Sequence, residues 1–336
     1  MLFSRQLQRS AETASGGDKE VPVSEPDHGF EFKQIGKQLS NWGRWGEEDQ
    51  LGTLNFITDA KRKAAARCIR KGELIDLGMP FDADGPQKTG MNGRFNPIHR
   101  MTILPGDRVT PSGMAVSDDM VILPTQCATQ WDSLAHIGYD GYFYNGRPYS
   151  VVTASHGAKL NSVDRTVSRL VGRGVLLDIA GLKRVPSLRP GEEITAEDLD
   201  AACARQGVEV MSGDIVLVRT GWYRYYLDES LGVPYIGTEI PGLGVSCCEW
   251  LHDREVAAVA SDNQAVEVKP SPHPDWGLPV HMILIRDMGM TLGEIFNLEE
   301  LARACESDHV WDFFFSGVGL KVSNAVGSPV SPIAIR

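Results

Sequence analysis

Gln126-Cys127-Ala128-Thr129-Gln130-Trp131-Asp132-Ser133-Leu134-Ala135-His136 is the stretch on which fold and chemistry both turn. It follows an apolar approach, Met120 to Pro124, that can deliver its polar side chains on a strand. Gln126, Gln130, Asp132 and His136 are separated by four, two and four residues. Side chains two apart in an extended segment share a face, so these four can converge on one side. Oxygen donors and an imidazole meeting at one point can hold a divalent cation, which polarises a carbonyl and eases the deprotonation of water. Cys127 and Trp131 have the opposite parity, which assigns the tryptophan to packing and argues against a nucleophilic cysteine.

The composition around this stretch narrows the function classes. A chain of 336 residues that is 42% hydrophobic and 8% aromatic can bury a large core. A formal net charge of −11 disfavours nucleic acid and anionic membrane as partners and leaves a small-molecule substrate. No apolar run reaches the roughly 18 to 20 residues that cross a bilayer. The six cysteines show no zinc-type pairing, and Cys247-Cys248 is too tight for a redox pair, so they read as reduced thiols in a cytoplasmic protein.

Along the chain, residues 1–35 read as a poorly ordered tail, and 36–336 as a single catalytic domain. Arg5 and Arg9 precede Glu12 without an apolar segment, so a frayed terminus is preferred over a transit peptide. Ala11 to Gly29 is too polar to order by itself, and folding is expected from Phe30 to Leu39. Trp42 to Leu54 reads as a loop wrapped on the core or over a pocket. Thr58 caps a helix from Asp59 to about Arg70, and Glu73 to Met79 reads as a strand. Gly174 to Ile179 has the apolar continuity of a strand covered on both faces. Thr195 with Asp198 opens a helix closed by Gly207, and Asp214 to Arg219 follows as a strand. Ser246 with Glu249 repeats the pattern before a strand from Val256 to Ala260. Val310 to Phe315, Leu320 to Ser323 and Val330 to Ile335 read as strands without helices. The result is an α/β fold with added β structure at the C-terminal end.

The spacing from Gln126 to His136 resembles the signature of the cyclase family, the group holding bacterial kynurenine formamidase and isatin hydrolase. That signature reads His-x-x-x-His-x-Asp-x-x-x-His. The resemblance implies metal ligation at Gln126, Gln130 and Asp132 and a general acid/base at His136, with glutamine at both outer ligand positions. Thr129 matches the threonine of the family's Gly-Thr-His core, and Ala128 replaces its glycine. Downstream, His281, Gly289 and Glu294-Ile295-Phe296-Asn297-Leu298 are similar to the family's second ligand segment, which makes His281 and Glu294 further metal ligands. The segments from Gly213 to Trp222 and from Gly174 to Asp178 look like family strands, so the likeness extends over roughly residues 40 to 325. It implies a swivelling β/β/α domain, a homodimer or larger homo-oligomer, and a metal-dependent hydrolase that opens a cyclic amide, lactone or formamide. Zinc and manganese are the expected ions, with magnesium admissible, because amide oxygens shift the donor set toward harder cations.

Each residue also has an ordinary reading. Asp132 can be a turn or cap residue, Gln126 and Gln130 can hydrogen-bond locally or hold substrate, and His136 and His281 can be core histidines. Glu294 can cap the helix near Leu298. His99, His156 and His273 sit by glycine or proline and read as loop histidines. Asp262 and Glu267 can orient a ligand histidine, although solvated loop carboxylates are the preferred reading. Two other function classes stay open: a metal-free binding protein on the same fold, and a lyase or true cyclase using a cation to stabilise an enolate.

Overall fold

The computed structural model describes residues 31–272 and 275–336. Residues 1–30 of the expected tail, and His273, lie outside the described residues. Residues 31–35 of that tail belong to a helix, α1 (Glu31–Gln38), whose Phe32 ring meets Tyr139 and Trp276 at centroid distances of 5.7 Å.

Nine strands share one mixed sheet: β1 (Leu74–Asp76), β2 (Gln130–Asp132), β3 (Val171–Asp178), β4 (Ile215–Arg219), β5 (Ala258–Ser261), β6 (Thr291–Glu294), β7 (Asp312–Ser316), β8 (Gly327–Pro329) and β9 (Ile333–Ile335). Their order across the sheet is β1-β9-β7-β3-β4-β5-β6-β2-β8. The central strands β3 to β6 run parallel. Their connections carry α3 (Ala196–Gln206), α4 (Ser246–Asp253) and a π-helical segment, Met282–Met288. The flanking strands pair antiparallel: β2 with β6 and β8, and β7 with β3 and β9.

Alternation along β3 divides the core. Val175 and Leu177 face the layer containing Leu199 of α3, Leu251 of α4 and Ile283 to Ile285. Leu176 points the other way, toward Trp131, Phe296, Phe313 and Phe315. Trp131 is fully buried there, edge-on to Phe296 at 5.3 Å and Phe315 at 6.3 Å, with its Nε1 donating to the Gly317 carbonyl at 2.8 Å. We expect Trp131→Ala to destabilise the protein by about 3–5 kcal/mol, the usual cost of emptying an aromatic core position. A urea melt showing less than half that loss would contradict this packing role.

Several local expectations hold, and others yield to tertiary context. Thr195 and Asp198 form a reciprocal capping box, and Gly207 ends α3 at φ 62°. Ser246 does not cap α4: its hydroxyl accepts from the Ala196 amide at 3.2 Å, so the helix begins at Ser246 with Val245 as an unbonded cap. The helix after Thr58 is α2 (Asp59–Ala65), tightening to a 3₁₀ turn at Ala66–Cys68. The strand before the motif, Asp118–Ile122, pairs with Ile98–Ile103 in an exposed hairpin, and the chain turns before entering the sheet at Gln130. Leu320 to Ser323 is not a strand. Its apolar side chains stay exposed, and the strand on that side is β8. The six cysteines are unpaired thiols. Among the described residues no helix is long and apolar enough to cross a membrane.

The loop from Trp42 to Leu54 lies against the outside of the π-helical segment. Trp42 Nε1 donates to the Arg286 carbonyl at 2.7 Å, and the Arg286 guanidinium stacks 4.5 Å from the Trp42 ring. Gly52 (φ 57°) comes so near Gly289 that a Cβ would sit 1.9 Å from its carbonyl oxygen. The loop therefore braces the segment that directly follows His281.

Candidate active site

Three elements bring the predicted residues together. Along β2, Gln130 and Asp132 share a face while Trp131 points into the core. Antiparallel pairing sets Glu294 of β6 opposite Gln130, and Gln130 Nε2 donates to Glu294 Oε2 at 2.7 Å. His281 closes the short turn Pro279–His281 that enters the π-helical segment. One ligand atom each from Asp132, His281 and Glu294 lie within 4.8 Å of one another, and all three residues are buried.

Strained backbone holds the two glutamates in place. Ile295, directly after Glu294, takes φ 62°, and Val266, directly before Glu267, takes φ 56°. A positive φ is rare for β-branched residues and persists only where the surroundings enforce it. Here the enforcer is Asn263. Its carbonyl accepts the Ile295 amide at 2.8 Å, its Oδ1 accepts the Val266 amide at 2.6 Å, and its Nδ2 donates to the Pro241 carbonyl at 2.6 Å. Thr129 completes the clamp, with its hydroxyl donating to the Ile295 carbonyl at 2.6 Å.

Glu267 is not a solvated loop carboxylate. It is 1% exposed, accepts the His281 amide at 2.9 Å, and is hydrogen-bonded to His281 Nδ1. This bond fixes the ring so that Nε2 faces Glu294 Oε1 at 3.3 Å. Asp262 is equally buried but serves elsewhere, accepting the Thr220 and Gly221 amides at 2.9 and 2.7 Å. We expect Glu267→Gln to weaken divalent-cation affinity by about 10–100-fold, as loss of a carboxylate behind a ligand histidine typically does. Equal affinities in a cation titration of the two proteins would reject that role.

Polar atoms around the triad are left open. Both carboxylate oxygens of Asp132 and Oε1 of Gln130 are buried without a hydrogen-bond partner, as is Nε2 of Gln126. Such orphans are rare in native interiors. Three unpaired acceptors beside an imidazole form a donor set that fits a divalent cation. Burial, and then the neighbouring charge of Glu294, push the Asp132 carboxyl well above the usual range. Burial disfavours the charged form of His281, but hydrogen bonds and charge from Glu267 and Glu294 outweigh it and lift the ring to about 10.

Gln126 and His136 lie outside the short strand, in the turns before and after it, yet both line the same cavity of about 460 Å³. Gln126 Oε1 accepts from the Thr125 hydroxyl at 2.9 Å. His136 Nε2 stands 3.8 Å from Asp132 Oδ1, too far for a hydrogen bond. Loss of water around the His136 ring, aided by the His281 and Arg94 charges, lowers its pKa to about 3. The shift favours the neutral ring, which keeps one nitrogen lone pair available as a hydrogen-bond acceptor. Cys127 is buried beneath the site with its thiol pushed up to about 11, which agrees with its assignment away from nucleophilic chemistry.

His99 pairs with Asp119 on the exposed hairpin at 2.8 Å, and His156 meets the Ser155 hydroxyl at 2.7 Å; neither lines the cavity. Sequence reasoning passed over Asn263, Arg94 and Lys269. For Asn263 a signal was present, since Ser261-Asp262-Asn263-Gln264 follows directly on a strand end. For the two cations there was none, because only the folded chain brings residues 94 and 269 to one cavity.

Known proteins share both sequence and architecture with this chain. The Cyclase family model matches residues 75–268. A crystal structure of a novel cyclase is 37% identical, with a TM-score of 0.82, and the match covers 90% of this chain and 99% of that one. Isatin hydrolase A from Ralstonia solanacearum superposes with a TM-score of 0.60 at 21% identity, over 83% of this chain and 97% of that one. An isatin hydrolase bound to the product analogue thioisatinate gives 0.59 at 17% identity, over 83% and 98%. No curated protein sequence matches the chain.

Proposed function

We propose, from the premise that this chain belongs to the cyclase family, that it is a metal-dependent hydrolase opening a cyclic amide, lactone or formamide. One observation carries the reading: Asp132, His281 and Glu294 converge in a buried cluster where both Asp132 oxygens lack any partner, beside the neutral imidazole of His136. Isatin, the compound named in two of the structural neighbours, is itself a cyclic amide, which agrees with this bond class.

Asp132, His281 and Glu294 hold the cation, and Gln130 offers its unpaired Oε1 as a further donor while its amide steadies Glu294. A divalent ion bound there supplies Lewis acidity, polarising the substrate carbonyl and easing deprotonation of water. Two carboxylates and an amide oxygen against one imidazole place manganese level with zinc. His136 takes the proton of the attacking water and returns it to the departing nitrogen or oxygen. Glu267 keeps His281 in one tautomer throughout. Gln126, which lines the cavity with its Nε2 unpaired, binds substrate.

Purified protein loaded with manganese or zinc and screened on lactones, cyclic amides and formamides should hydrolyse members of that panel. In oxygen-18 water it should place solvent oxygen in the new carboxylate. Less than about a tenth of an equivalent of any divalent ion, with no activity restored by adding one, would support the metal-free binding protein instead. Turnover without label incorporation would support the lyase.

A further inference from the structure

The cavity holds a charge arrangement that hydrolysis of a neutral ring does not require. Arg94 and Lys269 both line its wall, and neither forms an ion pair with a carboxylate among the described residues. Lys269 Nζ donates a long hydrogen bond to the Gly237 carbonyl at 3.4 Å. Gln264, which could have served either cation, is committed through both ends of its amide to the Gly237 backbone at 2.8 and 3.0 Å. Lys269 sits on rigid backbone, exchanging two 2.8 Å hydrogen bonds with Ile240. Arg94 follows the turn Met91–Gly93, which enters from Gly90 at φ 66° and passes Asn92 at φ 55°. The same cavity is also lined by the apolar side chains of Met91, Ile137, Ile236 and Leu278.

We propose that Arg94 and Lys269 form an anion-binding end of the cavity, so that the substrate carries a carboxylate on an apolar body in addition to the carbonyl that reacts. Two like charges on one partly desolvated wall repel each other, and an anionic ligand relieves the repulsion while gaining charge-assisted hydrogen bonds. Burial and the Arg94 charge together hold Lys269 below its usual range, against the pull of Glu294 and Glu267. The volume of about 460 Å³ lies within the roughly 300–1,000 Å³ of small-molecule sites. The apolar lining residues can pack against an aromatic ring or a short hydrocarbon. The assignment of the reacting carbonyl to the triad rests on the hydrolase reading above; the anion end does not.

Two measurements keep the claims apart. Benzoate binding is followed by calorimetry on the full chain, with and without manganese, for the wild type, Arg94→Met, Lys269→Met, Arg94→Lys and Lys269→Arg. Hydrolysis is followed on the three formamidobenzoate isomers and their methyl esters. We expect benzoate to bind in both metal states, each methionine variant to weaken it at least tenfold, and the conservative variants to recover part of the loss. We expect at least one acid to exceed its ester tenfold in kcat/KM, through KM, and the preference to collapse in the methionine variants. Benzoate binding that depends on the pair, with no formamide hydrolysed, sustains the anion end and counts against the hydrolase reading. Benzoate that binds only with manganese and ignores the substitutions, or esters that react as well as acids, overturns the proposal. So do methionine variants that bind manganese more tightly but benzoate equally well, because the cations would then serve only to balance the acidic centre.

Discussion

Asp132→Asn is expected to lower turnover by about a thousandfold and to remove cation binding, yet to make the metal-free protein more stable. The opposite signs follow from one geometry. The carboxylate is fully buried, both oxygens lack partners, and Glu294 is close enough to repel it. A buried carboxylate whose oxygens lack hydrogen-bond partners is costly even with the His281 and Arg94 charges nearby, and an isosteric neutral amide lowers that cost while filling the same volume. The gain for metal-free protein is on the order of 1–3 kcal/mol, the penalty attached to an unsatisfied buried group. With manganese the comparison reverses. A cation at about a hundred times its Kd stabilises the wild type by roughly 2.7 kcal/mol, and the variant has no comparable site to fill. Thermal melts of both proteins, each with and without manganese, test this directly. An aspartate that merely packed the core would lose stability under both conditions. A variant that keeps the manganese-dependent shift would remove Asp132 from the ligand set.

What the chain reveals before folding is uneven, and the reasons are physical. Alternation in Gln130-Trp131-Asp132 was legible because a strand buried on both sides leaves no other arrangement: the tryptophan takes the core and its neighbours take the cavity. The same parity rule was extended to Gln126 and His136, which do reach the cavity, but from turns where parity has no meaning. Their convergence is a property of the loops around β2. Capping shows the same limit. Thr195 and Ser246 carry equivalent local patterns, yet only Thr195 caps, because the Ala196 amide in the neighbouring helix claims the Ser246 hydroxyl. Glu267 illustrates the largest gap. Nothing local separates it from a solvated carboxylate. Its burial depends on Val266 being forced to positive φ by Asn263, and its partner His281 lies on a different element. The resemblance supplied His281 and Glu294 because their order along the chain carries the pattern, whereas Arg94 and Lys269 acquire meaning only from the cavity they share.

His136→Ala should separate proton transfer from cation binding. The ring lines the cavity and approaches Asp132 only to 3.8 Å, without joining the Asp132, His281 and Glu294 cluster. Its removal should therefore leave manganese affinity within about twofold of the wild type, consistent with the small energies carried by contacts beyond hydrogen-bond range. The rate should fall much further. A positioned acid/base contributes about 10²–10⁴-fold, and the loss should appear in kcat with KM little changed, since the proton moves only on the way to the transition state. The vacated space also opens to the cavity, so added imidazole should restore part of the rate in a saturable manner while leaving the wild type unaffected. Rescue by imidazole but not by a non-basic ring of similar size identifies the missing function as proton transfer and not packing. If His136→Ala instead loses manganese together with activity, His136 belongs to the ligand set, and the proton carrier must be sought among the other groups that line the cavity.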